Sequence, residues 1–134
     1  MIQTSLWPLQ KAIFQRLSND AAVMAIATGV HDAVENGLVH PYITIGAPTT
    51  DPLATKNTFN EEVSVVIHAW STYSGKKEAQ EMLNTIMQAI GKGLSIEGPF
   101  KLLSVSYPSL QVIDDIDPRI KHGLASFTFT IKNI

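Results

Sequence analysis

The chain has 134 residues, of which 45% are hydrophobic and 16% charged, and its net charge at pH 7 is -2. This length predicts a single domain over residues 1–134 with a core of its own. The charge balance argues against a nucleic-acid-binding surface, and the absence of cysteine excludes disulfides, thiol catalysis and cysteine-bound zinc. Without a signal-peptide pattern or an apolar run long enough to span a membrane, a soluble protein made in a cytoplasm is expected.

The first half of the chain predicts two helices, two strands and a loop. An apolar stripe from Leu6 to Leu17 predicts a helix that Thr4 or Ser5 can cap, and a second helix follows over residues 21–28. A short edge strand is predicted over Val30 to Val34, within an exposed edge from Val30 to Val39, and a further strand is predicted over residues 42–46. Residues 47–60 are rich in Thr, Pro, Asn and Asp and are predicted to be a loop, whose length of about fourteen residues suggests a function.

The second half predicts one long helix among strands. Residues 61–71 alternate as a strand in which Glu61 and Glu62 face opposite sides, so these two acids cannot act on one substrate together. A helix follows Ser74-Gly75, and further strands are predicted over residues 101–107, 110–113 and 120–134. The order of elements predicts an α+β fold with an antiparallel or mixed sheet of four to five strands, flanked by two to three helices.

No pattern in the chain is typical of a catalytic centre. The histidines could form a metal site gathered from separate strands, but none has helical metal-pair spacing, and scattered imidazoles are the favoured interpretation. Asp114, Asp115 and Asp117 lack the spacing of a calcium loop and match ordinary turn chemistry. Neither a phosphate loop nor a nucleophile elbow is present. We therefore predict no catalytic, cofactor-binding or metal-binding residues and no enzyme activity.

Two other classes of function are considered for this chain. The chain could be a small ligand-binding or hydrolytic domain with a pocket between sheet and helix, for which only His68 and His122 are candidates. A nucleic-acid-binding β module is disfavoured by the charge.

Among the aromatic residues, Trp70 is predicted to pack in the core, whereas Trp7 and Tyr73 beside helix starts are predicted to be exposed.

Several strings, in this order and over nearly the whole chain, resemble one family. They are Leu9–Ile13, His40–Gly46, His68–Ser71, Gly75 followed by Glu78-Ala79, and Arg119–Gly123 before a strand with Phe127 and Phe129. The family is that of the tail-completion, tail-terminator or tail-to-head joining proteins of long-tailed bacteriophages and prophages.

The resemblance implies a tail-terminator-like fold and a structural role in the virion. Such proteins cap the growing tail tube as a hexameric ring and dock on the head connector. The implied partners are the major tail tube protein, the head-completion or connector (stopper) protein and further copies of the chain, with no membrane and no recognition of a nucleic-acid sequence. The implied location is the head–tail interface of the virion, after synthesis in the host cytoplasm. No enzyme activity, metal, nucleotide or other cofactor is part of the role.

Interface residues for this role are expected in the loop from Thr49 to Phe59, in the turn from Asp114 to Arg119 and in the exposed edge around Val30 to Val39. The expected interface residues are Thr49, Thr50, Asp51, Leu53, Lys56, Phe59, Asp114, Asp115, Asp117 and Arg119.

Overall fold

The computed structural model describes residues 2–54 and 59–134, and within these ranges three helices pack on one face of a seven-stranded sheet. The helices are α1 (Leu6–Ser18), α2 (Ala21–Ile26) and α3 (Lys77–Gly91). The strands are β1 (Val30–His31), β2 (Tyr42–Ile45), β3 (Thr49–Ala54), β4 (Phe59–Ser71), β5 (Phe100–Val105), β6 (Ser109–Asp114) and β7 (Lys121–Asn133). In the described ranges, none of the helices has the length and apolar character that crossing a membrane requires.

The sheet is built around two long antiparallel strands, β4 and β7, which pair along residues 60–71 and 121–132. Because β7 occupies one edge of β4, β2 and β3 pair one after the other along its second edge. For the same reason β6 and β5 follow one another along the other edge of β7. Because β1 joins β2 in parallel, the sheet is mixed. The α+β class and the mixed sheet with three helices are confirmed, but the predicted four to five strands are too few, since the described residues form seven. β2 and β3 together occupy one row of the sheet and β5 and β6 another, so the sheet is five rows wide.

The predicted loop over residues 47–60 is wrong for much of its length. Thr49–Ala54 form β3, which pairs with β4 from Phe59 to Ser64. Thr, Asp and Pro gave this stretch the composition of a loop, but pairing to a long neighbouring strand overrides weak strand propensity. Lys56, one of the expected interface residues, lies outside the described residues.

The core lies between the helices and one face of the sheet, which we call the helix side. Odd-numbered residues of β4 and β7 point to it: Val63, Val65, Ile67, Ala69, Ala125, Phe127, Phe129 and Ile131 are all at most 2% exposed. α3 approaches β7 closely at Gly123, where an added Cβ would lie 3.1 Å from Leu83 Cγ. The opposite face of the sheet, called here the helix-free face, carries the even-numbered residues of both strands.

Two buried carboxylates tie the helices to the rest of the fold. Asp20 caps α2 by accepting hydrogen bonds from the backbone N–H groups of Ala22 and Val23, and it pairs with Lys92 Nζ at 2.7 Å. The bond from Lys92, with these backbone bonds, outweighs burial and lowers the pKa of Asp20. Glu61 is 1% exposed and accepts three hydrogen bonds of 2.7 Å, from Thr4 Oγ1, from Ser5 N and from Thr50 Oγ1. The backbone that enters α1 is therefore held by a side chain of β4, rather than by a hydroxyl cap from Ser5.

Candidate functional site

The expected interface residues from the predicted loop (Thr49, Thr50, Asp51, Leu53 and Phe59) come together on the paired strands β3 and β4. Thr49, Asp51 and Leu53 lie opposite even-numbered residues of β4, so they share the helix-free face, and all three are exposed. Thr50 lies on the helix side, where its hydroxyl donates to the buried carboxylate of Glu61. Phe59 also lies on the helix side and is half-buried. Three of these residues therefore form an accessible surface, whereas Thr50 stabilises the hairpin.

The other expected interface residues (Asp114, Asp115, Asp117 and Arg119) lie in or beside a turn between β6 and β7 that is closed by ion pairs. Arg119 donates from Nη2 to Asp117 Oδ2 at 2.7 Å and from its backbone N to Asp117 Oδ1 at 3.0 Å. Lys121 Nζ lies 2.8 Å from Asp114 Oδ1. Hydrogen bonding to Arg119 lowers the pKa of Asp117 to about 2, and hydrogen bonding to Lys121 lowers that of Asp114. Asp115 donates its backbone N–H to Ile120 O. Asp114 and Asp117 are thus each paired with a separate basic residue rather than gathered around one point.

The structure does not bring the two groups together. β3 lies beside the end of β4 that begins at Phe59, whereas the turn lies beyond β7 at the end of β4 that finishes at Ser71. The two groups are therefore separated by β4 and β7 across the sheet and by most of the length of β4 along it. Any single partner that contacts both groups must therefore span the sheet diagonally.

All four histidines meet on the helix-free face, which sequence reasoning missed. His68 and Trp70 of β4 stack with His122 of β7, with ring centroids 4.9 Å and 3.8 Å from that of His122. The row continues through Tyr42, which lies 6.3 Å from Trp70 and also contacts His31 and His40. The alternation of His68 and Trp70 along β4 was a visible signal. The other members come from β1, β2, β7 and the segment just before β2, whose placement beside β4 the sequence does not show. We call this set the aromatic row.

Trp70 lies in this row and not in the core, which corrects the prediction for it. Its ring is half-buried, and its Nε1–H donates to Thr44 Oγ1 at 3.0 Å. Its position follows from strand alternation, because even-numbered residues of β4 point away from the helices. Trp7 and Tyr73 are 63% and 50% exposed, as predicted.

The two central histidines share a hydrogen bond, with His68 Nδ1 and His122 Nε2 2.7 Å apart. One nitrogen must donate and the other accept, so the contact requires at least one neutral ring. Burial lowers the pKa of both rings, and the charge of His68 lowers that of His122 further. Among residues 2–54 and 59–134, no three His, Asp or Glu side chains lie close enough to hold a metal ion. The pair also lies on the helix-free face, so it cannot line a pocket between sheet and helix.

Acidification is expected to destabilise the protein through this histidine pair. The folded-state pKa values lie below the ordinary value of 6.5, so the pair's contribution is present above pH 6.5 and is lost as the pH falls through the folded values. The free energy of unfolding, measured with urea between pH 7.5 and 5, should fall more steeply for the natural chain than for the double variant His68→Gln/His122→Gln. The variant His31→Gln, in the same row but outside the pair, is the control. Equal pH dependence in all three proteins would contradict the expectation.

Comparison with known proteins identifies the class first. The fold occurs in the virion of a native gene transfer agent particle, with a TM-score of 0.82 and 20% identity, covering 92% of this chain and 94% of that chain. It also matches the structure of bacteriophage SPP1 gp17 protein, with a TM-score of 0.66 and 28% identity, covering 96% of this chain and 91% of that chain. The fold is thus one found in a gene transfer agent virion and in a bacteriophage protein.

The sequence comparison gives the family. The family described as tail completion protein gp17 matches residues 11–132. The tail completion protein gp17 of Bacillus phage SPP1 is 31% identical over 126 residues, covering 93% of this chain and 92% of that protein. The chain therefore belongs to the tail completion protein gp17 family, and it is a structural component of a phage-type tail. The resemblance found in the sequence is confirmed.

Proposed function

We propose that this protein ends the tail tube at its head-proximal end, stops tube elongation and joins the tail to the head connector. The observation that carries the proposal is the family match, which covers residues 11–132 and so nearly the whole fold. Six copies form the ring, the major tail tube protein binds one face of it, and the head-completion or stopper protein binds the other. The chain acts as one domain at the head–tail interface of the virion, and it waits in the host cytoplasm before assembly.

The arrangement of surfaces supports this role. A ring closes through heterologous contacts, so each subunit needs unlike surfaces for its neighbours. The exposed face of β3 carries Thr49, Asp51 and Leu53, and the ion-paired turn with Asp117 and Arg119 lies diagonally across the sheet. We propose that these two groups contact different partners. The role needs no catalysis, cofactor, membrane or recognition of a nucleic-acid sequence.

The test uses tails assembled without this protein. Purified protein should bind their head-proximal ends and stop tubes from growing when tube protein is added, as seen by electron microscopy. Asp51→Lys and Arg119→Glu change the two surfaces separately, and each should reduce either tube binding or head joining but not both. Glu81→Gln on the exposed side of α3 is the matched control and should behave as the natural chain. Binding along the tube sides, or no binding, would contradict the proposal.

A further inference from the structure

The outer edge of β6 differs from the other edges of the sheet in the backbone groups that it leaves free. In antiparallel pairs, successive residues direct their N–H and C=O groups alternately toward and away from the neighbouring strand. Ser106 N donates to Thr128 O at 2.9 Å, so even-numbered residues of β7 direct these groups toward the β5–β6 row. Their partners Ser109, Gln111 and Ile113 therefore bond to β7. It follows that the backbone groups of Leu110, Val112 and Asp114 point outward.

The other edges are interrupted. β1 has only two residues, and β5 carries a register shift between Leu102 and Ser104. On β3 the interruption is Pro52. Because Gly46 N donates to Val66 O, even-numbered residues of β4 bond toward the β2–β3 row, so Pro52, opposite Glu61, directs its nitrogen outward. That nitrogen carries no hydrogen, so the β3 edge lacks a central donor. Short strands, bulges and prolines are the means by which proteins prevent unwanted strand pairing at an edge.

β6 has none of these protections. Its six residues Ser109–Asp114 contain no proline and no lysine, and they pair with β7 without a register shift. Its single charged side chain, Asp114, is already paired with Lys121. Within the part of the chain that the structure describes, β7 is the only strand that pairs with β6. A strand left open in this way offers an uninterrupted set of outward donors and acceptors.

Apolar side chains flank this edge on both faces. Leu110 points to the helix side and is 42% exposed, whereas Ile113 points to the helix-free face and is 39% exposed. Tyr107 and Ile116, just before and after the strand, are 97% and 101% exposed. Beside Leu110, a cavity of about 320 Å³ lies between β6 and α3 and is lined by Lys76, Gln80 and Leu83, among others. An added strand would find hydrogen-bonding groups along the edge and apolar contacts above and below it.

We propose that β6 accepts an extended segment of another tail or head protein, which adds to the sheet as a further strand. A second copy of this chain is a poorer donor, because the edges of β1, β3 and β5 are interrupted. Pairing of β6 with β6 would form a two-fold dimer, whereas a ring needs heterologous contacts. The choice of a different protein as the donor rests on the proposed ring. The acceptor role of β6 does not depend on which face of the ring it serves.

Hydrogen exchange in intact particles tests the proposal directly. The amides of Leu110, Val112 and Asp114 should exchange fast in the free subunit and about tenfold or more slowly in purified tail-bearing particles. The amide of Gln111, which already bonds to β7 in the free subunit, is the internal comparison and should change less. Equal exchange at β6 in the free and assembled protein would overturn the proposal, even if the protein still caps tails.

Substitution at one position separates strand addition from side-chain contact. Leu110→Pro removes an outward N–H while sparing the bonds to β7, and Leu110→Ala removes the side chain but keeps the N–H. The expected result is that the proline variant folds but is incorporated into particles at least about tenfold less well than the alanine variant, which corresponds to about 1.4 kcal/mol. Amide exchange at Ile113 verifies that β6 stays paired to β7. Equal incorporation of the two variants, or a β6-mediated dimer that Leu110→Pro abolishes in sedimentation, would overturn the proposal.

Discussion

Replacing Glu61 by alanine is expected to lower the free energy of unfolding by about 3–5 kcal/mol, because removing one partner of a buried charged network leaves the others unpaired. The carboxylate of Glu61 is the acceptor for Thr4, Ser5 and Thr50, and so connects the start of α1, β3 and β4. Ser5 is itself 0% exposed, so its backbone N–H has no access to water in the folded protein. Urea unfolding followed by circular dichroism measures the effect.

The matched control is the neighbouring acid. Glu62 lies on the helix-free face and is half-buried, so Glu62→Gln should change stability by no more than about 0.5 kcal/mol. A loss at Glu61 no larger than that of the control would show that the three hydrogen bonds contribute little.

The charge of Glu61 also predicts a pH dependence. Burial alone would raise its pKa, but hydrogen bonds from Thr4, Ser5 and Thr50 outweigh burial and lower the pKa below the usual 4.5. A lowered folded-state pKa means that the stabilisation is present above pH 4.5 and is lost as the pH falls through the folded value. The difference in stability between the natural chain and Glu61→Gln should therefore shrink as the pH is lowered from 6 to 3.

Replacing Trp70 by alanine is expected to cost about 2–4 kcal/mol, less than for a fully buried tryptophan because the ring is only half-buried. The ring contacts Tyr42 and His122 across two strand boundaries, so its loss removes the centre of the aromatic row. The helix side of the sheet should keep its packing, since Ala69 and Ile67 point the other way. Thermal unfolding, with near-ultraviolet circular dichroism as a local probe, measures both effects.

Two further variants separate stacking from hydrogen bonding at this position. Trp70→Phe keeps an aromatic ring but leaves Thr44 Oγ1, on a residue only 4% exposed, without its donor, and should cost about 1 kcal/mol. Tyr73→Ala, at a residue that is 50% exposed, is the control and should be close to neutral. If Trp70→Ala were also close to neutral, the aromatic row would contribute nothing to the stability of the sheet.

The sequence by itself determined the fold class, the helices and the long strands. Periodicity was decisive for α1, α3, β4 and β7, because an amphipathic pattern directly reflects which face of an element is buried. The alternation of β4 also placed Glu61 and Glu62 on opposite faces, as the structure shows. The strings that carried the family resemblance lie partly in α1, α3, β4 and β7 and partly in β2 and the residues just before α3 and β7.

Only the tertiary structure decided the rest, because it depends on strand register. β3 forms because β4 offers it a partner, although its own residues favour a loop. The aromatic row forms because residues distant in sequence are placed side by side by four strands. The edge of β3 is blocked because Pro52 falls at an outward-pointing position, whereas every outward position of β6 keeps its N–H group. No local pattern encodes that direction, since it is set by the pairing of each strand with its neighbour.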